Sequence, residues 1–133
     1  MESKIINNKI ELIKRDDQIY VYKALNKCSL DLETAEAMTK AGDEWNGTAL
    51  CANLVDIRDM LFIDSKARNY GAAQYRPHVA GSAILTGSRF TVTFANLYLK
   101  FSRPKVPTRM FSDENDAIVW LKEQMEMRRK KAS

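Results

Sequence analysis

Most of the residues that could do chemistry in this 133-residue chain stand in one stretch, Leu54–Arg68. Asp56, Asp59 and Asp64 succeed one another there, and Ser65, Lys66 and Arg68 follow. A serine at a helix start, with free backbone amides and two cations close behind, could accept and hold a phosphate. Asp64, Ser65, Lys66 and Arg68 are therefore a candidate phosphoacceptor or docking site. Their plain structural role is to open and cap a helix. Three aspartates near one strand end also raise a receiver-type phosphorylation site. That chemistry needs an acidic pocket and a Lys from another strand end. Neither Asp-x-Asp spacing nor a glycine loop accompanies these aspartates.

Elsewhere the chemistry thins out. Thr86-Gly87-Ser88-Arg89 is predicted to open a helix, where free amides, Ser88 and Arg89 could hold an anion. A single glycine does not make a P-loop. Arg109 joins Ser88 and Arg89 as a candidate anion-binding or interface residue. His78 is the only imidazole, set between Pro77 and Val79 beside a strand start. No Gly-x-Ser-x-Gly occurs, and neither cysteine is spaced to argue for a Cys–His pair. Cys28 and Cys51 do not make a disulfide framework, and two scattered cysteines with one histidine argue against zinc. The expectation is a protein with no catalytic residues, no metal and no cofactor.

The patterning supplies the scaffold for these residues. Ile10 and Leu12 alternate with polar neighbours, and Ile19 and Val21 alternate with Tyr20 and Tyr22. This predicts strands Lys9–Lys14 and Gln18–Ala24, with Arg15-Asp16-Asp17 as the hairpin turn. Lys4–Asn7 can add an edge strand. Ser29 is expected to start the first helix, with Asp31 and Glu33 in its first turn. Leu32, Ala35, Met38, Gly42 (or Ala41) and Trp45 form its inward stripe, and Asn46-Gly47 ends it. Ala49–Ile57 is almost continuously apolar, as in a strand buried on both faces of a parallel sheet. Asp64 or Ser65 then caps a second helix to about Tyr75, with Ala67, Tyr70 and Ala73 inward and Pro77 beyond it. Val79–Leu85 is another buried strand.

Arg89–Phe101 fits two patterns. Phe90, Val92 and Phe94 alternate with threonines as in a strand, whereas Phe90, Phe94, Leu97, Tyr98 and Phe101 share one helical face. Its length and the strand before it favour a helix that is apolar on more than one side and needs cover. Phe90, Phe94, Tyr98 and Phe101 are the candidate apolar interface. After the proline-fixed linker Arg103–Pro107, Thr108–Phe111 is a short last strand. Ser112 is expected to cap the final helix, with Asp113, Glu114 and Asp116 in its first turn. The order β-β-α-β-α-β-α-β-α predicts an α/β fold, a mixed β-sheet with an N-terminal hairpin and four helices packed on it.

Val55-Asp56-Ile57 followed by Phe62-Ile63-Asp64-Ser65-Lys66-Ala67 resembles the core of the STAS domain, the fold of bacterial anti-sigma-factor antagonists. In that family a buried strand leads to Phe-Met-Asp-Ser, a second hydroxyl residue and a Gly, and the second hydroxyl is phosphorylated by the partner kinase. The order of elements resembles the family over roughly residues 9–125. The chain also looks like small, uncharacterised bacterial STAS-like proteins in its Ile84-Leu85-Thr86-Gly87-Ser88 strand end, aromatic Phe90–Phe101 segment, Pro104–Arg109 linker-strand and Trp120-Leu121 pair. The resemblance implies a regulatory, protein-binding domain without enzymatic activity. Lys66 stands where the phosphorylated hydroxyl should be and Ala67 where the Gly should be, which argues against the usual phosphoryl switch. A second function class is a small apolar ligand or lipid carrier of the Sec14-like type, whose related fold can hold an apolar ligand under a helix.

Length and composition fit one domain, residues 1–127, with a basic C-terminal stretch at 128–133. The net charge of +4 comes from Arg128, Arg129, Lys130 and Lys131, since the rest of the chain holds 17 basic and 17 acidic residues. The overall charge is therefore no sign of nucleic-acid binding. The charge is unevenly spread: residues 1–64 hold eight Lys/Arg and twelve Asp/Glu, whereas residues 65–112 hold eight Lys/Arg and no acid. Such asymmetry points to an acidic partner, an anion or the acidic N-terminal half itself. No apolar run is long enough to span a membrane, and the N-terminus lacks the pattern of a signal peptide. The expectation is a cytoplasmic protein that binds another protein, with a homodimer as one arrangement, no nucleic-acid partner and no membrane insertion.

Overall fold

In a computed structural model, residues 2–87 and 104–132 are described. The chain opens with a meander set by two tight turns. Asn7 and Asn8 both take positive φ (52° and 57°), and Lys9 N donates to Ile6 O at 3.0 Å. This is the two-residue turn whose twist matches paired strands. It joins β1 (Glu2–Ile6) to β2 (Ile10–Lys14). The next turn is the expected Arg15-Asp16-Asp17 corner, completed by Gln18 at φ 66° and by an Arg15–Asp17 ion pair at 2.9 Å. It leads into β3 (Ile19–Ala24), antiparallel to β2.

Beyond β3 the strands run parallel. β5 (Cys51–Asp56) pairs with β3, β7 (Val79–Leu85) with β5, and β8 (Thr108–Phe111) with β7. The sheet order is β1-β2-β3-β5-β7-β8. Two further strands, β4 (Cys28–Leu30) and β6 (Met60–Ile63), form a separate parallel pair. Helix α1 (Leu32–Asn46) connects β4 to β5, α2 (Ser65–Ala73) connects β6 to β7, and α3 (Glu114–Ala132) closes the chain.

The pleat of the sheet divides the core in two. Tyr20, Tyr22, Val55 and Ile84 face α1 and α2. Ile19, Leu54, Ala83 and Leu85 belong to a second cluster with Ala117, Leu121 and Met125 of α3. Residues of β5 and β7 are buried on both faces, which is why Ala49–Ile57 lacks alternation. Gly42 is required by this packing, because the Tyr22 hydroxyl lies where a side chain at position 42 would begin.

The mixed α/β architecture and the hairpin agree with the sequence expectation, and several details correct it. Ser29 does not start a helix. It belongs to β4, and Asp31 caps α1 by accepting from Thr34 N at 2.8 Å. β4 and β6 have three and four residues, too short to show a period. Ala67 is buried as expected, but Ala72 rather than Ala73 is buried beside it, and the helix ends at Ala73 rather than near Tyr75. Asp113, not Ser112, caps α3, accepting from Asp116 N at 3.0 Å. Arg128–Lys131 continue α3 rather than trailing from it, and Arg128 donates to the carbonyls of Pro77 and Val79. Among the described residues there are three helices, not four; the one expected at Phe90–Phe101 lies outside them.

Candidate functional site

The three aspartates of the central stretch do separate jobs. Asp56 ends β5, with only 4% of its surface exposed. It accepts from Arg58 Nε at 3.0 Å, from Arg58 Nη2 at 2.8 Å and from the Arg58 backbone amide at 3.1 Å. This two-pronged pairing compensates a carboxylate that would otherwise be stranded in the interior. Bonding to Asp56 holds the Arg58 guanidinium above its ordinary pKa. Arg58 also reaches Glu114 at 3.5 Å and so ties the end of β5 to the start of α3. Asp59 accepts from Lys27 N at 3.2 Å and fixes the turn into β4. Asp64 caps α2, accepting from Lys66 N at 2.8 Å, while its own amide donates to Leu30 O at 2.9 Å. These carboxylates do not converge on one pocket.

Ser65 is the first residue of α2 and is exposed, as is Lys66, whereas Arg68 is half-buried. The strand leading into this helix has an unusual face. Met60 is buried, but Leu61 and Phe62 are 53% and 62% exposed. Two adjacent large apolar side chains thus stand in solvent one turn of chain before Asp64, Ser65 and Lys66. Sequence reasoning placed the functional loop here and missed the exposed pair, because an apolar run reads as buried unless the strand is known to be short and peripheral.

Arg109 lies exposed on the edge strand β8, its guanidinium 5.3 Å from the Phe111 ring. Its expected companions Ser88 and Arg89, and the apolar candidates Phe90, Phe94, Tyr98 and Phe101, lie outside the described residues. His78 stands 3.6 Å from Asp43 and 3.5 Å from Arg76, which is itself paired with Asp43. Burial, then the Arg76 charge, lowers the His78 pKa. Burial pushes the Cys51 thiol up to about 11 and raises that of Cys28 as well, so neither is an activated thiolate. Among the described residues no three His, Cys, Asp or Glu side chains cluster as metal ligands.

A cavity of about 160 Å³ lies between the α1/α2 layer and the sheet. Leu30, Val55, Ile57, Ile63 and Ile84 supply apolar walls, and Val106 contributes from the segment before β8. Asn53 and Ser82 line it from the sheet, and Arg68 and Arg76 from α2 and the loop after it. The arginines were legible as part of an acid-free segment; the cavity was not, because it depends on how helices sit over strands.

Sheet order and helix placement make a mixed α/β fold, and comparison with solved structures likens it to the SpoIIAA-like fold. In solved structures the chain is similar to an uncharacterised protein of the DUF3478 family with a SpoIIAA-like fold from Shewanella loihica PV-4, at 20% identity and TM-score 0.59, covering 91% of this chain and 98% of that one. It is also matched to a protein of unknown function from Arthrobacter sp. FB24, at 21% identity and TM-score 0.34, covering 83% and 90%. A search of curated protein sequences gives no match. Residues 13–125 match the model of a domain of unknown function, DUF7793, and the chain belongs to that family. No helix among the described residues is long and apolar enough to cross a membrane.

Proposed function

We propose that this chain is a non-enzymatic regulatory domain that works by binding another protein in the cytoplasm, with the β6–α2 junction as its contact surface. The observation that carries the reading is the exposed Leu61–Phe62 pair beside Asp64, Ser65 and Lys66. Exposed aromatic side chains are enriched at protein interfaces relative to the rest of the surface. The arrangement favours an acidic or anion-bearing partner, and it gives Ser65 a route to modification at a helix start. Asp56, Asp59 and Asp64 are all engaged structurally, and both thiols are buried and free of disulfides, which fits a reducing compartment.

The test is site-specific photo-crosslinking from position 61 in the native cell, followed by affinity measurement with the partner so identified. Phe62→Ser is expected to weaken that complex at least about tenfold while leaving the fold intact. Equal affinity of Phe62→Ser and the parent chain would refute this surface. Sedimentation of both proteins tests the homodimer, which the same substitution should dissociate if the partner is a second copy.

A second reading, a carrier of a small apolar ligand, is favoured by the cavity of about 160 Å³. Its walls are largely apolar, with polar groups from both the sheet and the helical layer, the usual mixture at a small-molecule site.

A further inference from the structure

We propose that the cavity beneath α1 and α2 takes a small organic acid, with its apolar body against the aliphatic walls and its carboxylate on the polar floor. The proposal rests on the carrier reading and gives the ligand a chemical class.

The floor comes first. Asn53 and Ser82 stand directly opposite one another on β5 and β7, and both line the cavity. Central strands under a helical layer ordinarily carry apolar side chains there, as Val55 and Ile84 do two residues further along the same pair. No side-chain hydrogen bond joins Asn53 or Ser82 to another described residue. Both residues are only partly buried, so the cavity leaves them accessible to an occupant.

The sign of the occupant follows from the remaining polar lining. Arg68 and Arg76 border the same space, and no aspartate or glutamate among the described residues does. Arg76 has a side chain only 15% exposed, and Asp43, which pairs with it, meets it from α1 outside the lining. Every polar side chain lining the cavity can donate a hydrogen bond. A carboxylate only accepts, and two oxygens can serve the amide, the hydroxyl and a guanidinium together. The volume sets the body. A cavity of about 150 Å³ holds a benzene-sized molecule, so an aromatic or short-chain monoacid fits and a long-chain lipid does not.

The experiment is an NMR titration of the full chain with benzoate, set against benzyl alcohol as a neutral probe of the same size. The expected result is saturable benzoate shifts at Asn53, Val55, Ser82 and Ile84, with affinity about tenfold or more above that of benzyl alcohol. Ser82→Ala should weaken benzoate several-fold and leave benzyl alcohol nearly unchanged. Should that variant lose its dispersed spectrum, Asn53→Ser replaces it with the same expectation. Equal affinity for the two probes would overturn the carboxylate assignment and leave the carrier reading standing. Absence of saturable shifts at these four residues with either probe would overturn both.

Discussion

Replacing Arg58 by Met should expose how the end of the central strand is held. Asp56 is 5% exposed at its side chain and Arg58 is 48% exposed, so the pair is buried on one side only. Removing one partner of a fully buried pair costs about 3–5 kcal/mol, and an exposed pair is worth about 0–1 kcal/mol. Arg58→Met removes the bonds from Nε and Nη2 but keeps the backbone amide bond at 3.1 Å. The expected loss is about 2–3 kcal/mol, most of it from a carboxylate left in the interior without its counter-charge. If that is the cause, removing the charge should relieve it. Asp56→Asn added to Arg58→Met is expected to bring the deficit back to about 1 kcal/mol, since a neutral amide can still accept from the residue 58 amide. Urea unfolding of the parent, both single variants and the double variant measures this, provided the slope m stays constant. A double variant as unstable as the sum of the singles would refute the stranded-charge account.

Three further outcomes follow from the same geometry. Gly42→Ala places a methyl group against the Tyr22 hydroxyl and should cost about 1–3 kcal/mol, and Tyr22→Phe in the same chain should recover much of it, read by thermal unfolding. The Asp31 carboxyl is held down to about 2 by its bonds to Thr34 and then by Lys9. Its folded value lies below the ordinary 3.8, so its contribution is present above about pH 4 and fades as pH falls toward 2. Asp31→Ala should cost about 1 kcal/mol or less at pH 7, and the difference from the parent should shrink as pH falls from about 4 through 2 in unfolding curves taken across that window. Phe62→Ser should change stability by no more than about 0.5 kcal/mol, because the side chain packs on little.

The parts of the fold legible in the sequence were those with a long repeat or a strong cap. Ile10 to Tyr22 alternate across two paired strands, and the tyrosines fall on one buried face as the pattern requires. Thr108–Phe111 and Val79–Leu85 stand where the apolar runs put them. Asp64 was readable as a cap because the helix behind it begins at once. Ser29 misled because it precedes two acidic residues just as a capping serine would; Lys9 Nζ, bonding both Ser29 O (2.9 Å) and Asp31 Oδ2 (3.2 Å), ties that segment to β2 instead. Such a long-range tether has no local signature. The Asp56–Arg58 pairing was hidden for another reason: Asp-Ile-Arg at a strand end shows two charges but not that one is buried.

α2 stands between the two candidate sites, and its two sides are chemically different. Ser65 and Lys66 face solvent beside Leu61 and Phe62, whereas Ala67 is 3% exposed and lines the cavity with Arg68. The helix cap at Asp64 serves both sides, because it fixes where the first turn begins and hence which residues point each way. A loss of protein binding in Asp64→Ala would therefore not distinguish the sites, since the register of the whole first turn depends on it. Phe62 and Ser82 do distinguish them. Phe62 projects from the peripheral β6 and is not part of the cavity lining; Ser82 lies in β7, inside the main sheet, and is only partly exposed. Lys66, where the resembled family carries its phosphorylated hydroxyl, places a positive charge on the outer side, opposite in sign to a phosphate. On the proposed protein-binding reading, Phe62→Ser against Lys66→Ala separates the apolar from the ionic share of the contact: the first should chiefly raise the off-rate, and the second should chiefly reduce the on-rate and its dependence on salt.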